Sequence, residues 1–350
     1  MKSIFDLTKD DLKDWLREQG EKPFRTKQVF EWLYTHKVKR FEDMSNLSKA
    51  TRELFENSFT INLPDVVHSE KAPDGTIKFL TKLQDSEEIE SVILAHNDHF
   101  TLCLSTQVGC AMGCKFCLTS KMGLKRNLTS GEIVAQLMIA NEFVGVGKRV
   151  RNIVYMGMGE PFHNYENVIK SLQIFTDPEG LGMSNRRITV STSGLIEEIE
   201  MFGQEERTKA NLAISLNGVR EESRAAIMPV TRKHSLERLM EVCRNYPLES
   251  QQRITFEYVL LKGLTDDMKD AKALVKLLHG TKSKVNLLPF NEHEDLTFKS
   301  PEPAQVLEFQ RYLLKHGLMA TLRTPRGNGI SAACGQLATK NKKKNEQTTI

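Results

Sequence analysis

Long apolar stretches are absent from this sequence of 350 residues. No run approaches the roughly 20 apolar residues that a membrane-spanning helix needs. The first residues, Met1-Lys-Ser-Ile-Phe-Asp, also lack the apolar core of a secretory signal peptide. Both absences argue against a membrane-spanning or secreted protein, and we expect a cytoplasmic one.

The sequence also lacks a strong excess of either charge. Its net charge of +4 and isoelectric point near 8.6 permit a polyanionic partner without requiring one. Hydrophobic residues make up 39% and charged residues 27%, which excludes a disordered or fibrous chain. A chain of this length can bury a full core and add a small accessory domain.

Cysteine is scarce, and its distribution excludes an ordinary disulfide framework. Three of the six cysteines fall within eight residues, in Cys110-Ala-Met-Gly-Cys114-Lys-Phe-Cys117. A compact loop of this spacing can turn three sulfurs toward one point, which suits a metal centre. Three thiolates suit a [4Fe–4S] cluster whose fourth iron binds another ligand. A closed zinc site needs a fourth ligand, and no second Cys/His pair follows nearby. The spacing therefore favours iron–sulfur over zinc or merely reactive thiols.

Residues 1–60 show the spacing of a small helical domain. Thr8 and Asp11 are placed as a capping box, and Ser48 is placed to begin a later helix. Such a domain suits either RNA binding or packing against another domain. From residue 61 to 100 the hydrophobic period changes to two, with strands predicted at 76–83 and 88–95, which indicates a short antiparallel β extension and linker.

Strand-like and helix-like stretches alternate through residues 101–338, which we interpret as the core domain. Strands are predicted at 101–105, 152–156, 187–192, 211–215, 254–260 and 284–288. Helices are predicted at 130–143, 164–175, 195–203, 235–245, 265–278 and 303–316. Six such units predict a parallel sheet, and periodicity leaves a partial barrel and a doubly wound sheet equally open. The last residues, 339–350, read as a basic, disordered tail.

A glycine-rich turn follows the second predicted strand. It contains Gly157 and Gly159 directly before Glu160. Glycines there let the backbone approach a ligand, and the carboxylate can receive an ammonium group. The same pattern also forms a tight turn before a helix. The three cysteines one unit earlier favour the ligand-binding interpretation.

Several motifs together resemble the radical S-adenosylmethionine (SAM) enzymes that methylate adenine in ribosomal RNA, the family of RlmN and its relative Cfr. One is the Cys-x3-Cys-x2-Cys spacing with Phe116 before the third cysteine. The others are Gln107-Val-Gly-Cys110, Gly123-Leu-Lys-Arg-Asn-Leu-Thr129, Met156-Gly-Met-Gly-Glu-Pro161 and Ala332-Ala-Cys-Gly-Gln-Leu337. The resemblance covers essentially the whole chain up to residue 338.

The resemblance implies a fold and a reaction. The fold is a partial (β/α)6 barrel with its active site at the C-terminal ends of the strands. The reaction is methylation at C2 of adenine in 23S ribosomal RNA, at adenosine 2503, and in transfer RNA, at adenosine 37. The implied cofactors are a [4Fe–4S] cluster on Cys110, Cys114 and Cys117, and SAM as methyl donor and radical source. A one-electron reductant such as flavodoxin is an implied partner.

The resemblance also implies the SAM-binding residues, and the chain departs from the family pattern at two places. Asn217 stands where histidine is usual, so a contact through the backbone is preserved there and a contact through an imidazole is lost. Residues 327–331 lack acidic residues that the family often has, which affects how the segment before Cys334 is held. The implied contacts to SAM are Gly159, Glu160, Ser191, Ser215, Leu216, Asn217 and Asn291.

Two distant cysteines and one glutamate are implied to be catalytic. Cys334 takes a methyl group as a thiolate, and the radical from a second SAM abstracts hydrogen from that methyl, which then adds to adenine. Glu90 removes the ring proton, and Cys103 releases the product through a transient disulfide with Cys334. Without the resemblance, the two cysteines are typical of small buried residues and Glu90 of an exposed strand carboxylate. Cys243 matches no motif and is predicted to be a core residue.

Two alternative functions stay open. The C8-methylating relative shares the chemistry, although Lys22-Pro-Phe-Arg25 and Arg326-Gly327 favour the C2 enzyme by resemblance. A non-catalytic RNA-binding protein with a structural metal centre belongs to another class, and it would not cleave SAM. Cys103 and Cys334 argue against it, because a binding module has no use for the pair.

Overall fold

A ten-stranded sheet forms the centre of the fold in the computed structural model, which describes residues 1–324, 326–327 and 329–339. The predicted basic tail lies outside the described residues apart from Thr339. The strands are β1 Lys2–Ser3, β2 Phe59–Thr60, β3 Asp65–Lys71, β4 Ile77–Lys82, β5 Glu88–Ala95, β6 Phe100–Cys103, β7 Gln107–Gly109, β8 Leu124–Asn127, β9 Val150–Tyr155, β10 Ile188–Thr192, β11 Asn211–Ser215, β12 Ile254–Leu260, β13 Ser283–Pro289 and β14 Ala320–Leu322. The helices are α1 Lys9–Glu18, α2 Arg25–Phe30, α3 Lys49–Ser58, α4 Leu118–Lys121, α5 Ser130–Val144, α6 Tyr165–Thr176, α7 Ile196–Gln204, α8 Glu221–Ile227, α9 Leu236–Asn245, α10 Met268–Leu278 and α11 Pro303–Lys315.

The parallel part of the sheet has the strand order β6-β9-β10-β11-β12-β13-β14. Apart from β7 and β8, which form a separate hairpin, each of these strands lies beside the next one in the chain, and helices cross over between them. A doubly wound sheet would reverse its strand order at a switch point, and this series does not. The sheet is therefore the wall of a partial (β/α)6 barrel, which confirms the predicted fold class. The short strand β14 follows the sixth unit and was not predicted.

Beyond β6 the sheet continues with the antiparallel strands β5, β4 and β3. This is the predicted β extension, with Gly75 in the turn before β4 at a φ of +81°. The pattern missed β3 because nearly all of its side chains are exposed, so its hydrophobic residues show no alternation. The small β7–β8 hairpin, α4 and α8 were missed because each is too short for a periodic signal.

Capping side chains explain where the helices begin. The hydroxyl of Thr129 accepts the Glu132 N–H at 3.2 Å, and the Glu132 carboxylate accepts the Thr129 N–H at 2.9 Å, so α5 begins as predicted. Thr8 and Asp11 make the same exchange at the start of α1. The helix predicted from residue 265 begins only at Met268, because Asp267 is its N-cap.

The N-terminal helices pack directly on the barrel. The backbone carbonyl of Asp6 accepts the Ser130 hydroxyl at 3.0 Å, and its carboxylate accepts the Gly131 N–H at 2.8 Å. Lys170 on α6 forms an ion pair with Asp11 at 2.9 Å. Apolar side chains of both parts belong to one continuous buried cluster. Across the described residues, every helix is too short or too polar to cross a membrane.

Candidate active site

An open cavity lies at the C-terminal ends of the parallel strands, with about 980 Å³ of space that includes its opening to solvent. Side chains at the ends of β9 to β13 form its wall, and the three-cysteine loop and the segment around Cys334 close it from two sides. The implied site residues that line it are Cys110, Cys114, Cys117, Gly159, Glu160, Ser191, Ser215, Asn217, Asn291 and Cys334. Three implied residues do not line it, namely Leu216, Cys103 and Glu90.

The β7–β8 hairpin holds the start of the three-cysteine loop. Gly109 ends β7 at a φ of +77°, and a Cβ atom there would lie 1.7 Å from the carbonyl oxygen of Gly123. The Cys110 N–H donates to the same oxygen at 3.0 Å. Only glycine fits at position 109, and this close approach directs the loop toward the cavity.

The three cysteines of the loop are free thiols. Burial raises the pKa of Cys110 to about 12, and burial together with the neighbouring thiols raises the pKa of Cys114 further. In the described chain, no three Cys, His, Asp or Glu side chains are spaced as ligands of one metal ion. The donor set itself nevertheless fits an iron–sulfur cluster, because three thiols line one cavity and such a cluster leaves an iron free for another ligand.

Packing explains the glycines of the turn after β9. A Cβ atom at Gly157 would lie 2.6 Å from the carbonyl oxygen of Leu104. At Gly159, where φ is +105°, it would lie 2.7 Å from the side chain of Gln107. These glycines therefore allow β9 to pack against the segment after β6, and they line the cavity as a consequence. The tight-turn interpretation accounts for them without a ligand.

Glu160 is buried at the base of the cavity. Its carboxylate accepts the backbone N–H of Ser193 at 2.8 Å and the Ser193 hydroxyl at 2.7 Å, and it also accepts the Phe162 N–H at 3.1 Å. Burial raises the pKa of Glu160, and the hydrogen bonds from Ser193 oppose that shift. The carboxylate thus joins the ends of two strands and presents an acceptor to the cavity.

The other implied SAM-binding residues follow neighbouring strands. Asn217 has a left-handed backbone with φ of +52°, which asparagine tolerates better than most residues. Its side-chain oxygen accepts the Val259 N–H at 2.9 Å, so this amide connects β11 and β12 where the family usually has histidine. The Leu216 side chain is fully buried, which leaves only its backbone for a ligand. Ser191, Ser215 and Asn291 line the cavity at the ends of β10, β11 and β13.

Arg224 on α8 is a site residue that the sequence did not reveal. It is fully buried, and its guanidinium donates to the carbonyls of Leu216 at 2.9 Å and Ser193 at 2.6 Å. It also donates to the Thr231 hydroxyl at 2.8 Å. Burial lowers the pKa of Arg224 to about 10, so it stays charged at neutral pH. It links the loops after β10 and β11, and no motif signals this role.

A second cavity adjoins the first, and Cys334 lines both. The second cavity is also lined by Cys103, at the end of β6, and by His96, Arg323 and Arg326. Cys103 is buried and Cys334 is exposed, and both are free thiols. Desolvation by surrounding protein atoms raises the pKa of both thiols. The structure thus brings the two implied catalytic cysteines to one cavity.

The segment that carries Cys334 docks on the three-cysteine loop. The Leu118 N–H donates to the Gly335 carbonyl at 2.7 Å, and the Thr119 hydroxyl donates to the Leu337 carbonyl at 2.5 Å. Gly327, at the start of the segment, donates its N–H to Asp74 at 3.0 Å. Asp74 therefore provides a carboxylate contact to the segment in which the family's acidic residues are missing.

Glu90 lies on β5, outside both cavities. It is buried rather than exposed, so the interpretation as an exposed strand carboxylate is wrong. Its carboxylate pairs with Lys78 at 3.3 Å and accepts the Ala338 N–H at 2.9 Å. Burial raises the pKa of Glu90, and Lys78 opposes that shift. Cys243 is buried in the core, as predicted.

Comparisons with known proteins define the class of protein first. The family model of the radical SAM superfamily matches residues 104–275, and the model of the ribosomal RNA large subunit methyltransferase N-terminal domain matches residues 2–61. A solved radical SAM methyltransferase from Sphaerobacter thermophilus is 38% identical with a TM-score of 0.91, covering 97% of this chain and 100% of that one. Fold and site together define a radical SAM enzyme.

Curated relatives identify the family. The dual-specificity RNA methyltransferase RlmN of Desulfosudis oleivorans is 46% identical over 341 residues, covering 97% of this chain and 91% of that protein. The probable dual-specificity RNA methyltransferase RlmN of Aquifex aeolicus is 44% identical over 342 residues, covering 97% of this chain and 98% of that protein. This chain belongs to the RlmN family of dual-specificity RNA methyltransferases.

Proposed function

We propose that this chain is a radical SAM methyltransferase that methylates C2 of adenine in 23S ribosomal RNA and in transfer RNA. The observation that carries the proposal is the position of Cys334. It lines the cavity that also contains the three loop cysteines and Glu160, and it lines the adjoining cavity that contains Cys103. A methyl acceptor must reach both the cofactor and the RNA, and the position of Cys334 between two cavities supports that role.

Cys110, Cys114 and Cys117 are the residues that would hold a [4Fe–4S] cluster. When bound, the cluster would supply the electron that cleaves SAM, a redox step that protein side chains do not provide. The residues around the remaining cavity bind and orient SAM. Glu160 offers a buried carboxylate, and Ser191, Ser215, Asn217 and Asn291 offer polar groups along the strand ends.

Cys334 acts first as a nucleophile. Its thiolate sulfur forms a bond to the methyl carbon of SAM as the bond from that carbon to the sulfonium sulfur breaks, which leaves S-adenosylhomocysteine. The thiolate is required because a thiol is a weak nucleophile. Desolvation raises the pKa of Cys334, and the positive charge of Arg323 opposes that shift. The methyl group then stands on Cys334 at the junction of the two cavities.

Cys103 and Glu90 complete the reaction. Once the carbon on Cys334 is bonded to C2 of adenine, the Cys103 thiolate, which lines the same cavity, attacks the Cys334 sulfur. The S–S bond forms as the bond from the Cys334 sulfur to that carbon breaks, and the carbon keeps the electron pair and takes up a proton, which leaves a methyl group on C2 and a Cys103–Cys334 disulfide. Glu90 takes the ring proton. Because its carboxylate accepts a hydrogen bond from the Ala338 N–H, the segment 334–338 must move before Glu90 can reach a substrate.

The N-terminal helical domain is the proposed RNA-binding domain. A flavodoxin-like protein is the proposed reductant, and the cytoplasm is the proposed location.

The test compares wild type with Cys334→Ala, using reconstituted protein, a reductant, methyl-labelled SAM and fragments of both RNAs. Wild type is expected to form 5′-deoxyadenosine together with 2-methyladenosine, whereas Cys334→Ala forms no methyladenosine. Cys243→Ala is the matched control, because that cysteine is buried away from both cavities and its loss leaves methyl transfer intact. Methylation at C8, or full activity of Cys334→Ala, would contradict the proposal.

A further inference from the structure

Glu257 on β12 is a buried carboxylate of the first cavity that the proposed reaction leaves without a role. Only 6% of its surface is exposed, and the residue lines the cavity. Its Oε1 atom accepts the side-chain amide of Asn286 at 2.8 Å. Its Oε2 atom is buried and has no hydrogen-bond partner among the described residues.

An unpartnered carboxylate oxygen of this kind is costly. Burying a polar atom without a hydrogen bond destabilises a fold, and more so when the atom is charged. Native folds therefore pair nearly all such atoms, and an exception indicates a missing partner. Because Glu257 lines the cavity, a ligand bound there is the candidate partner for Oε2.

The sheet register places Glu257 among groups that already face this ligand site. Glu257 stands directly opposite Ser215 on β11 and Asn286 on β13, and Ser215 also lines the cavity. The backbone carbonyl of Glu257 accepts the Leu216 N–H at 3.0 Å. The backbone of Glu257 thus holds the loop after β11, and its side chain lines the same cavity as Ser215.

The charges around Glu257 do not supply the missing partner. Burial raises the pKa of Glu257, while the charge of Arg323, the bond from Asn286 and the charge of Lys284 oppose that shift. Arg323 lines the second cavity and not the first. Neither Arg323 nor Lys284 forms a hydrogen bond or ion pair with the Glu257 side chain.

We propose that Glu257 binds an adenosine, its Oε2 atom accepting a hydrogen bond from a ribose hydroxyl or from the exocyclic amino group. This rests on the proposed function, in which the cavity takes SAM and adjoins the site of a target adenosine. Both ligands carry the same donors, so the shared chemistry is that of an adenosine. Glu257 is therefore a specificity-determining residue of this site, beside Ser215 and Asn217.

The substitution Glu257→Gln tests the role of the Oε2 atom alone. The glutamine keeps the volume, and its carbonyl oxygen still accepts from Asn286, but an NH2 group replaces the acceptor that faces the ligand. Asn286→Ala is the matched control, since it removes the bond to Oε1 and leaves Oε2 in place. A purely structural role of Glu257 would make the two variants equivalent.

Two binding measurements on the reconstituted protein distinguish the two adenosines. In the first, equilibrium dialysis with S-adenosylhomocysteine and with its 2′-deoxy, 3′-deoxy and N6-dimethyl analogues measures the cofactor arm. In the second, an RNA fragment with adenosine, 2′-deoxyadenosine or N6-dimethyladenosine at the target position measures the substrate arm. In one arm, wild type is expected to bind one analogue about tenfold or more weakly than the parent ligand. A loss of this size is expected when a hydrogen bond to a charged acceptor is removed.

Glu257→Gln should then bind the parent ligand of that arm about tenfold more weakly, and it should no longer discriminate against the analogue. Loss in the first arm assigns SAM, and loss in the second assigns the target nucleotide. Equal affinities of wild type and Glu257→Gln in both arms overturn the proposal, as does an equal loss in Asn286→Ala. If Glu257→Gln does not fold, the wild-type measurements alone test the proposal. Equal affinity of wild type for the parent ligands and all analogues overturns it. Methylation by wild type is scored separately, so failure of the proposed function is recognised independently.

Discussion

Arg224 illustrates how much a single residue contributes to the candidate site. It is the largest of the fully buried side chains in the described structure. Its hydrogen-bond partners are backbone carbonyls and a hydroxyl group, and none of them is a carboxylate. Its sequence context, Arg220-Glu-Glu-Ser-Arg224, is typical of an exposed helix and indicates nothing of this. A buried charge of this kind is stable only while its hydrogen bonds are complete.

Replacing Arg224 with methionine should lower both stability and affinity for SAM. The carbonyls of Leu216 and Ser193 and the Thr231 hydroxyl lose their donor, and we expect the free energy of unfolding to fall by about 3 kcal/mol or more. Urea unfolding measures the stability, and equilibrium dialysis with S-adenosylhomocysteine measures binding. The exposed Arg232→Met is the control and should change neither quantity. Similar values for both variants would show that the buried guanidinium does not organise the loops.

Glu90 shows the limit of reasoning from a residue's local sequence. The alternation of hydrophobic and polar residues along its strand is compatible with an exposed carboxylate at position 90. In the structure, however, the side chain is buried beside Lys78 and Ala338. The difference arises because the segment around Ala338 folds back over β5, a contact between residues 248 positions apart. A two-residue period records which face of a strand a side chain lies on, and it does not record what covers that face.

At the scale of elements, the β7–β8 hairpin determines how the three-cysteine loop leaves the sheet. Its two strands have only three and four residues. Where they meet, the backbone of Gly109 lies against the Gly123 carbonyl. A side chain at position 109 cannot be accommodated unless the hairpin opens.

Gly109→Ala should therefore impair cluster assembly. With a Cβ atom 1.7 Å from the Gly123 oxygen, the hairpin must separate and Cys110 must shift away from the other two thiols. The number of irons per chain after anaerobic reconstitution should drop well below that of wild type. Gly123→Ala is a control in the same hairpin, because a Cβ atom there meets nothing within 4 Å and only the positive φ is strained. Equal iron contents in the two variants would contradict the expected role of Gly109.

At the scale of the whole molecule, the N-terminal helices and the barrel meet at the start of α5. Asp6 caps that start by accepting from Ser130 and Gly131, and a Cβ atom at Gly131 would lie 2.8 Å from the Asp6 carboxylate. A hydrogen-bonded contact of this closeness fixes the N-terminal domain relative to α5. The candidate active site lies at the strand ends and does not include these residues.

Gly131→Ala should separate RNA binding from SAM binding. The added methyl group displaces Asp6 and loosens the N-terminal domain, so the KM for RNA should rise several-fold while the affinity for S-adenosylhomocysteine stays unchanged. Steady-state kinetics and equilibrium dialysis measure the two effects. Ser130→Ala is the control, because it removes one hydrogen bond without adding a clash. An unchanged KM for RNA in Gly131→Ala would argue against the N-terminal domain as the RNA-binding domain.

The sequence by itself determined the local features of this protein. The alternation of strands and helices, the capping boxes of α1 and α5 and the three-cysteine spacing depend on residues only a few positions apart, so local chemistry specifies them. Through its motifs, the sequence also indicated the family. Partial barrel and doubly wound sheet could not be separated by periodicity, because both consist of the same βα units.

Only the tertiary structure decided which distant groups meet. Cys334 lies beside the loop cysteines and near Cys103 because the last described segment docks on residues 118–119. The sheet register sets Ser215 and Asn286 on either side of Glu257, whose Oε2 atom has no hydrogen-bond partner among the described residues. Contacts of this kind depend on strand order, register and the path of the chain over hundreds of residues, and no local pattern encodes them.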